Sequence, residues 1–109
     1  MTAAVPEPDH RRRRAVPIPF GPITADTQLI GPPCVVTGWS VAETSGTAAA
    51  SLRIMDGRDA NGTPAALINL NPSESVRDST GLHGLWFDTG VTIDVVTGSV
   101  SGVVWAVLP

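Results

Sequence analysis

One polar stretch brings together the side chains of a nucleophilic triad: Asp78, Ser79 and Thr80 lie within five residues of His83. An acid, a hydroxyl and an imidazole are the groups that such a triad uses. No nucleophile-elbow pattern surrounds the serine, and residues of one loop rarely form a triad. We therefore expect a polar loop between strands, no catalytic residues and no enzymatic activity.

A second stretch, Asp56 to Gly62, places carboxylate and amide oxygens before a glycine, as calcium-binding loops do. If Gly62 is the turn glycine, Gly57 stands where the first acid should be and Ile68 stands where the bidentate glutamate should be. The two histidines have no zinc-ligand spacing, and no phosphate-binding glycine motif is present. The sequence predicts a glycine-rich turn here, no metal site and no cofactor.

The strongest charge feature is the run Arg11, Arg12, Arg13 and Arg14. Residues 1–14 carry a net charge of +2, and the rest of the chain carries −5. Four adjacent guanidinium groups can bind carboxylates or phosphates bidentately. An acidic protein groove is the favoured partner, a solvated tail is an alternative, and nucleic acid is disfavoured because no aromatic residue is interleaved with the arginines.

Residues 1–22 form a segment that we call the arm. It holds five of the ten prolines, which exclude a helix and favour extended, polyproline-like chain. Its apolar part includes Val16, Ile18 and Phe20, and a stiff apolar strip loses little entropy when it docks into a groove. We expect a docking arm over residues 1–22 and one folded domain over residues 23–109.

The chain is long enough for one small domain. Its single cysteine, Cys34, precedes two valines, so we expect a buried structural thiol. No run of about 18 apolar residues and no secretory signal is evident. We therefore expect no membrane contact and synthesis in the cytoplasm.

Apolar residues recur with period two after Gly31, which predicts β-strands. Four faces are expected to be apolar: Val35, Thr37, Trp39 and Val41; Ala48, Ala50, Leu52 and Ile54; Ala66, Ile68 and Leu70; Val91, Ile93 and Val95. Gly98-Ser99 suits a two-residue hairpin turn between 91–97 and 100–108. Seven or eight short strands without a helical window predict an all-β fold: one antiparallel β-sandwich or jelly roll.

The last strand is apolar on both sides, which is unusual for a small sandwich. Val103, Trp105 and Val107 alternate with Val104, Ala106 and Leu108. Either the strand is central and covered on both faces, or its outer face contacts another subunit. Trp105 and Leu108 are therefore candidates for contacts in a homo-oligomer, such as a trimer, with a core role as the equal alternative.

Residues 29–108 resemble small β-rich proteins encoded among the virion genes of tailed phages that infect actinobacteria. The resemblance is carried by Gly38-Trp39-Ser40-Val41, by the alanine-rich strand with its Asp-Gly and Asn-Gly turns in 48–62, by Ile68-Asn69-Leu70, by 74–78 and by 90–102. Such proteins decorate capsids, serve as minor capsid proteins or attach to tails. The resemblance brings no catalytic residues with it.

The resemblance implies a non-enzymatic virion protein, assembled in the host cytoplasm, that docks on the major capsid protein or another virion protein and stabilises the particle. Arg11 to Arg14 would be electrostatic anchors of the arm, and Val16, Ile18 and Phe20 apolar ones. A tail or baseplate accessory subunit is the alternative within this class. A glycan-binding module using Trp39, Trp86 and Asp88 is the alternative outside it, although a core or interface role is favoured for Trp86.

Overall fold

The computed structural model describes residues 17–81 and 83–109, which form nine strands and contain no helix. This part of the chain therefore has no helix that could cross a membrane. The strands are β1 (Ile18–Phe20), β2 (Thr27–Gly31), β3 (Cys34–Glu43), β4 (Ala50–Asp56), β5 (Thr63–Leu70), β6 (Ser75–Ser79), β7 (Leu85–Phe87), β8 (Val91–Thr97) and β9 (Val100–Val107). The predicted all-β fold is confirmed.

The strands form two antiparallel sheets. The first has the order β1-β9-β3-β6, with β7 also paired to β3, and the second has the order β2-β8-β4-β5. One long hairpin, whose tip is the loop 57–62, accounts for most of the pairing. Along it, β1 pairs with β9, β2 with β8, β3 with β6 and β7, and β4 with β5. If β6 and β7 count as one interrupted strand, folding this hairpin across two sheets gives an eight-stranded jelly roll.

The core lies between the inner faces of the two sheets. The central strands supply most of it: β4 contributes Leu52 and Ile54, β8 contributes Val91 and Ile93, and β9 contributes Val104, all of them buried. Burial of one such side chain stabilises the fold by about 1.5–3 kcal/mol. Period-two patterning therefore predicted the inward faces of β5 and β8, and that of β4 except at Ala48, which precedes the strand and is exposed.

Cys34 opens β3 and is completely buried, as predicted. Burial raises the pKa of its thiol, and the nearby carboxylate of Asp56 raises it further. Both effects favour the neutral thiol over the reactive thiolate. Cys34 is therefore a structural residue of the core.

The prediction of a hairpin at Gly98-Ser99 is wrong. The predicted bounds of the two strands are nearly correct, but β8 belongs to the second sheet and β9 to the first, and they do not pair. The two residues instead carry the chain from one sheet to the other. Their backbone is held by a hydrogen bond of 3.0 Å that Thr44 N–H donates to the Ser99 carbonyl. Alternating polarity sets where strands begin and end, but it contains no information on which strands pair.

Glu43, the last residue of β3, ties two loops together. Its carboxylate accepts hydrogen bonds from the backbone N–H groups of Ser45 and Gly46, each at 2.7 Å, and of Ser73 at 2.9 Å. The Ser45 side chain and these backbone donors lower the pKa of Glu43 from 4.5 to about 2. The charged carboxylate is thus the form that holds the loops 44–49 and 71–74 against the end of the sandwich.

We expect Glu43→Gln to destabilise the protein at neutral pH, because the amide is a weaker acceptor and its NH₂ group faces donors. The folded pKa lies below the ordinary value, so the stabilisation is fully present above pH 4.5 and disappears as the pH falls to about 2. Urea unfolding across this range should show the variant and the natural chain converging. Asp26→Asn, which removes one exposed negative charge, is the control. An undiminished difference at pH 2 would contradict the assignment.

Candidate functional site

The two hydroxyl groups of the stretch that resembled a triad form hydrogen bonds with the backbone. The Thr80 hydroxyl donates to the Val36 carbonyl at 2.8 Å, and the Ser79 hydroxyl accepts from Gly81 N–H at 3.3 Å. His83 lies exposed at the far side of the same turn. This arrangement shapes the turn between β6 and β7.

The carboxylates of the predicted turn 56–62 also bind backbone groups. Asp56 accepts from the N–H groups of Asp88 at 3.0 Å and Thr89 at 2.9 Å, while Asp59 accepts from Asn61 N–H at 2.9 Å. Burial raises the pKa of Asp56, but the backbone donors of Asp88, Thr89 and Gly90 more than offset this, so its pKa lies below the ordinary value. Among the residues that the structure describes, no cluster of three metal-ligating side chains occurs.

The two outer faces of the sandwich differ in chemistry. On the second sheet, Arg53 of β4 forms an ion pair with Asp94 of β8, which also accepts a hydrogen bond of 3.0 Å from Thr27 of β2. The hydrogen bond from Arg53 lowers the pKa of Asp94 below its ordinary value. On the first sheet, the outward residues of β9 are Val103, Trp105 and Val107, all half-buried. The outward side chains of β9 thus make the middle of the first sheet's outer face apolar, whereas an ion pair lies in the middle of the other outer face, which also exposes Leu67 and Val96.

This apolar face contains two adjoining open grooves, which we call together the trough. Pro17, Thr37 and Ser79 line both grooves. The first groove is completed by Gly38, Arg77, Asp78 and Trp105, and the second by Val35, Gly81, His83 and Val107. The trough therefore has an apolar floor from β3 and β9, and a polar rim at β6 and the turn that follows it.

A β-bulge in β3 shapes this floor. Val36 pairs with Ala106 and Gly38 pairs with Trp105, so Thr37 is an extra residue without a partner in β9. Its hydroxyl donates to the Trp105 carbonyl at 3.2 Å. A Cβ at Gly38 would lie 2.5 Å from the Asp78 carbonyl oxygen, so only glycine fits where β6 approaches.

The bulge changes which residues of β3 face the core. Trp39 and Val41 are buried on the inner face, as predicted, whereas Val35 and Thr37 lie half-buried on the outer face. The prediction that all four share one face is therefore wrong for the two residues before the bulge. An isolated glycine within a strand pattern is a signal of a bulge, and Gly38 was that signal.

The predicted subunit contacts lie in different places. Trp105 is half-buried in the trough, and its indole N–H is buried without a hydrogen-bond partner among the described residues. Leu108 follows the end of β9 and is 44% exposed. Strand β9 lies between β1 and β3, so it is a central strand, with its outer face partly open. A role of either residue in subunit contacts stays a prediction.

The arm meets the sandwich at the trough. Pro17, the first described residue, lines both grooves, and β1 pairs with β9 from Ile18 onward, ahead of the predicted boundary at residue 23. Phe20 packs against the core, whereas Ile18 is 39% exposed. Arg11 to Arg14 and Val16 lie outside the described residues.

Trp86 is not a core residue, because 53% of it is exposed. It pairs with Val35 across β7 and β3, and its indole N–H donates to Asp88 at 3.3 Å. The other tryptophan of the proposed glycan set, Trp39, is buried on the inner face. Trp86 and Asp88 thus form a small exposed aromatic and acidic pair beside the apolar outer face.

Comparisons of the chain with models of protein families, with curated proteins and with solved structures find no match.

Proposed function

We propose that the chain is a non-enzymatic structural protein of a phage virion, a capsid decoration or minor capsid protein that docks through its N-terminal arm. The observation that carries this proposal is the junction at Pro17, where a basic, proline-rich segment enters the sandwich beside an open apolar trough. The jelly roll is a fold of viral capsid and lectin domains, which is support by analogy. The choice of a phage virion as the particle rests on the resemblance of residues 29–108 to virion proteins.

The arm supplies two kinds of anchor in this proposal. Arg11 to Arg14 pair with carboxylates of the major capsid protein or another virion protein, and Val16 and Ile18 fill an apolar groove. Phe20 was expected to be a third apolar anchor beside Val16 and Ile18, but it packs against the protein's own core. Many copies bound to one lattice would then stabilise the particle by avidity. A tail or baseplate accessory subunit would use the same anchors.

Nucleic acid is the weaker partner for the arginine run. The domain that follows the arm carries an excess of negative charge, and no aromatic side chain is interleaved with the arginines for base stacking. Four charges alone would give weak and strongly salt-dependent binding to DNA.

Co-sedimentation with phage particles tests this proposal. Removing residues 1–16 leaves the nine described strands intact, because β1 begins at Ile18. We expect the shortened chain to stay folded by circular dichroism and to bind at least about tenfold more weakly, which corresponds to about 1.4 kcal/mol. Arg58→Gln, which removes one arginine from the exposed tip of the β4–β5 loop, is the matched control and should bind normally. Equal binding by the full and shortened chains would refute docking through the arm.

A glycan-binding module is the second candidate, because Trp86 is exposed beside Asp88 and jelly rolls include lectins. In that case binding would persist without residues 1–16 and would be lost in Trp86→Ala on a glycan array.

A further inference from the structure

In the described part of the chain the two sheets have four edges, and three of them are protected against pairing with another chain. Unpaired edge strands attract other strands unless short length, charge, proline or a bulge prevents it. β1 has three residues with Pro19 at its centre, and β6 carries Arg77 and Asp78. β2 has five residues, a bulge between Leu29 and Gly31, and two prolines directly after it.

The fourth edge, β5, lacks most of this protection. It has eight residues and no charged side chain. Pro64 and the bulge beside it lie at its beginning, whereas Ala66–Leu70 pairs in unbroken register with Ala50–Ile54 of β4. Leu67 is 71% exposed, more than any other large apolar side chain in the described part of the chain. The second half of β5 is thus a regular, uncharged and apolar edge.

We infer that β5 pairs with β5 of a second copy of this chain in an antiparallel, two-fold dimer. Two identical antiparallel strands are related by a two-fold axis, so this edge is complementary to itself. The absence of charge means that no like charges meet across the axis. Each copy supplies backbone donors and acceptors to the other, and Leu67 of each copy becomes covered at the joint.

The pairing joins the second sheet of one copy to the second sheet of the other, which gives one continuous sheet of eight strands. It uses neither the arm nor the outer face of the first sheet, because β5 belongs to the other sheet. A dimer of this kind would carry two arms, and a second arm on the same particle raises the avidity of attachment. The dimer does not depend on the proposed function, since it forms with or without a particle.

Size-exclusion chromatography with light scattering on the full chain tests this inference. We expect the mass of two chains for the natural protein and of one chain for Leu67→Lys, because a lysine on each edge opposes pairing. Val96→Lys is the matched control: Val96 is 55% exposed on the same sheet but lies on the central strand β8, so this variant should remain a dimer. The chain without residues 1–16 should also remain a dimer.

Hydrogen exchange gives a second readout that needs no variant. The amides of 66–70 should exchange more slowly as the protein concentration rises, while those of β2, the opposite edge of the same sheet, should not change. A natural chain that stays monomeric, a Leu67→Lys variant that stays dimeric, or β5 amides that ignore concentration would each overturn the inference.

Discussion

Phe87→Ala is expected to lower the free energy of unfolding by about 3–5 kcal/mol. Phe87 is 1% exposed and is the largest fully buried side chain among the described residues. It lies in β7, a strand of three residues that pairs with the first part of β3. Truncation removes the buried ring and leaves a cavity. Because β7 is short and pairs only with β3, the strand must move to fill this cavity.

For a domain of this size the loss is a large part of the total stability of about 5–15 kcal/mol. It corresponds to a fall in Tm of well over 10 °C, at roughly 4–8 °C per kcal/mol. Trp86→Ala, one residue earlier, is the control, because Trp86 is 53% exposed and its loss should cost about 1 kcal/mol or less. Thermal and urea unfolding of both variants measures the two losses of unfolding free energy. Equal losses would contradict the assignment of Phe87 to the inner face of β7 and Trp86 to the outer face.

Gly98→Ala is the second change with a large expected effect, a loss of about 2–5 kcal/mol. Gly98 has a φ of 80°, a conformation that costs any residue with a Cβ. The added methyl group would also lie 2.7 Å from the Ala49 carbonyl oxygen and from Ala50 Cα. Both penalties fall on the crossover between β8 and β9, so neither sheet can shift alone to relieve them.

Gly81→Ala separates the two penalties. Gly81 also has a positive φ, of 97°, but a Cβ there would meet nothing within 4 Å. It should therefore lose only about 1–2 kcal/mol of backbone strain. Urea unfolding of both variants measures the difference, and equal losses would show that crowding at the crossover is absent.

The alternation of polar and apolar residues was enough to predict strands and an antiparallel sandwich. It could not predict how the strands pair, because the pairing follows from folding one long hairpin across two sheets. Gly98-Ser99 illustrates the limit: a glycine-serine pair between two alternating strands suits a hairpin turn equally well as a crossover. Only contacts far apart in sequence, such as β1 with β9, distinguish the two.

The candidate site was harder to predict than the fold. The bulge at Thr37 turns Val35 outward, where it lies in the floor of the trough with Val107 of β9. Arg77 and Ser79 reach its rim because β6 pairs with β3. No local pattern contains these long-range placements. Gly38 alone gave a local sign of the bulge.

The structure places the start of the sandwich earlier than the predicted boundary at residue 23. Proline fixes the backbone in an extended form, which suits a docking segment and an edge strand alike. Ile18-Pro19-Phe20 forms β1, at the edge of the first sheet, where proline is tolerated. The sandwich therefore begins at Ile18, which pairs with β9 and is still 39% exposed.

In the proposed function, a basic arm attaches the sandwich to an acidic surface of a particle. Co-sedimentation across a range of salt concentrations tests it most directly, with the full chain compared with a variant in which Arg11 to Arg14 are all glutamine. We expect stoichiometric binding of the full chain that weakens as salt rises, and weak, salt-insensitive binding of the variant. Equal binding of both chains at every salt concentration, or no binding of the full chain to any particle, would contradict it.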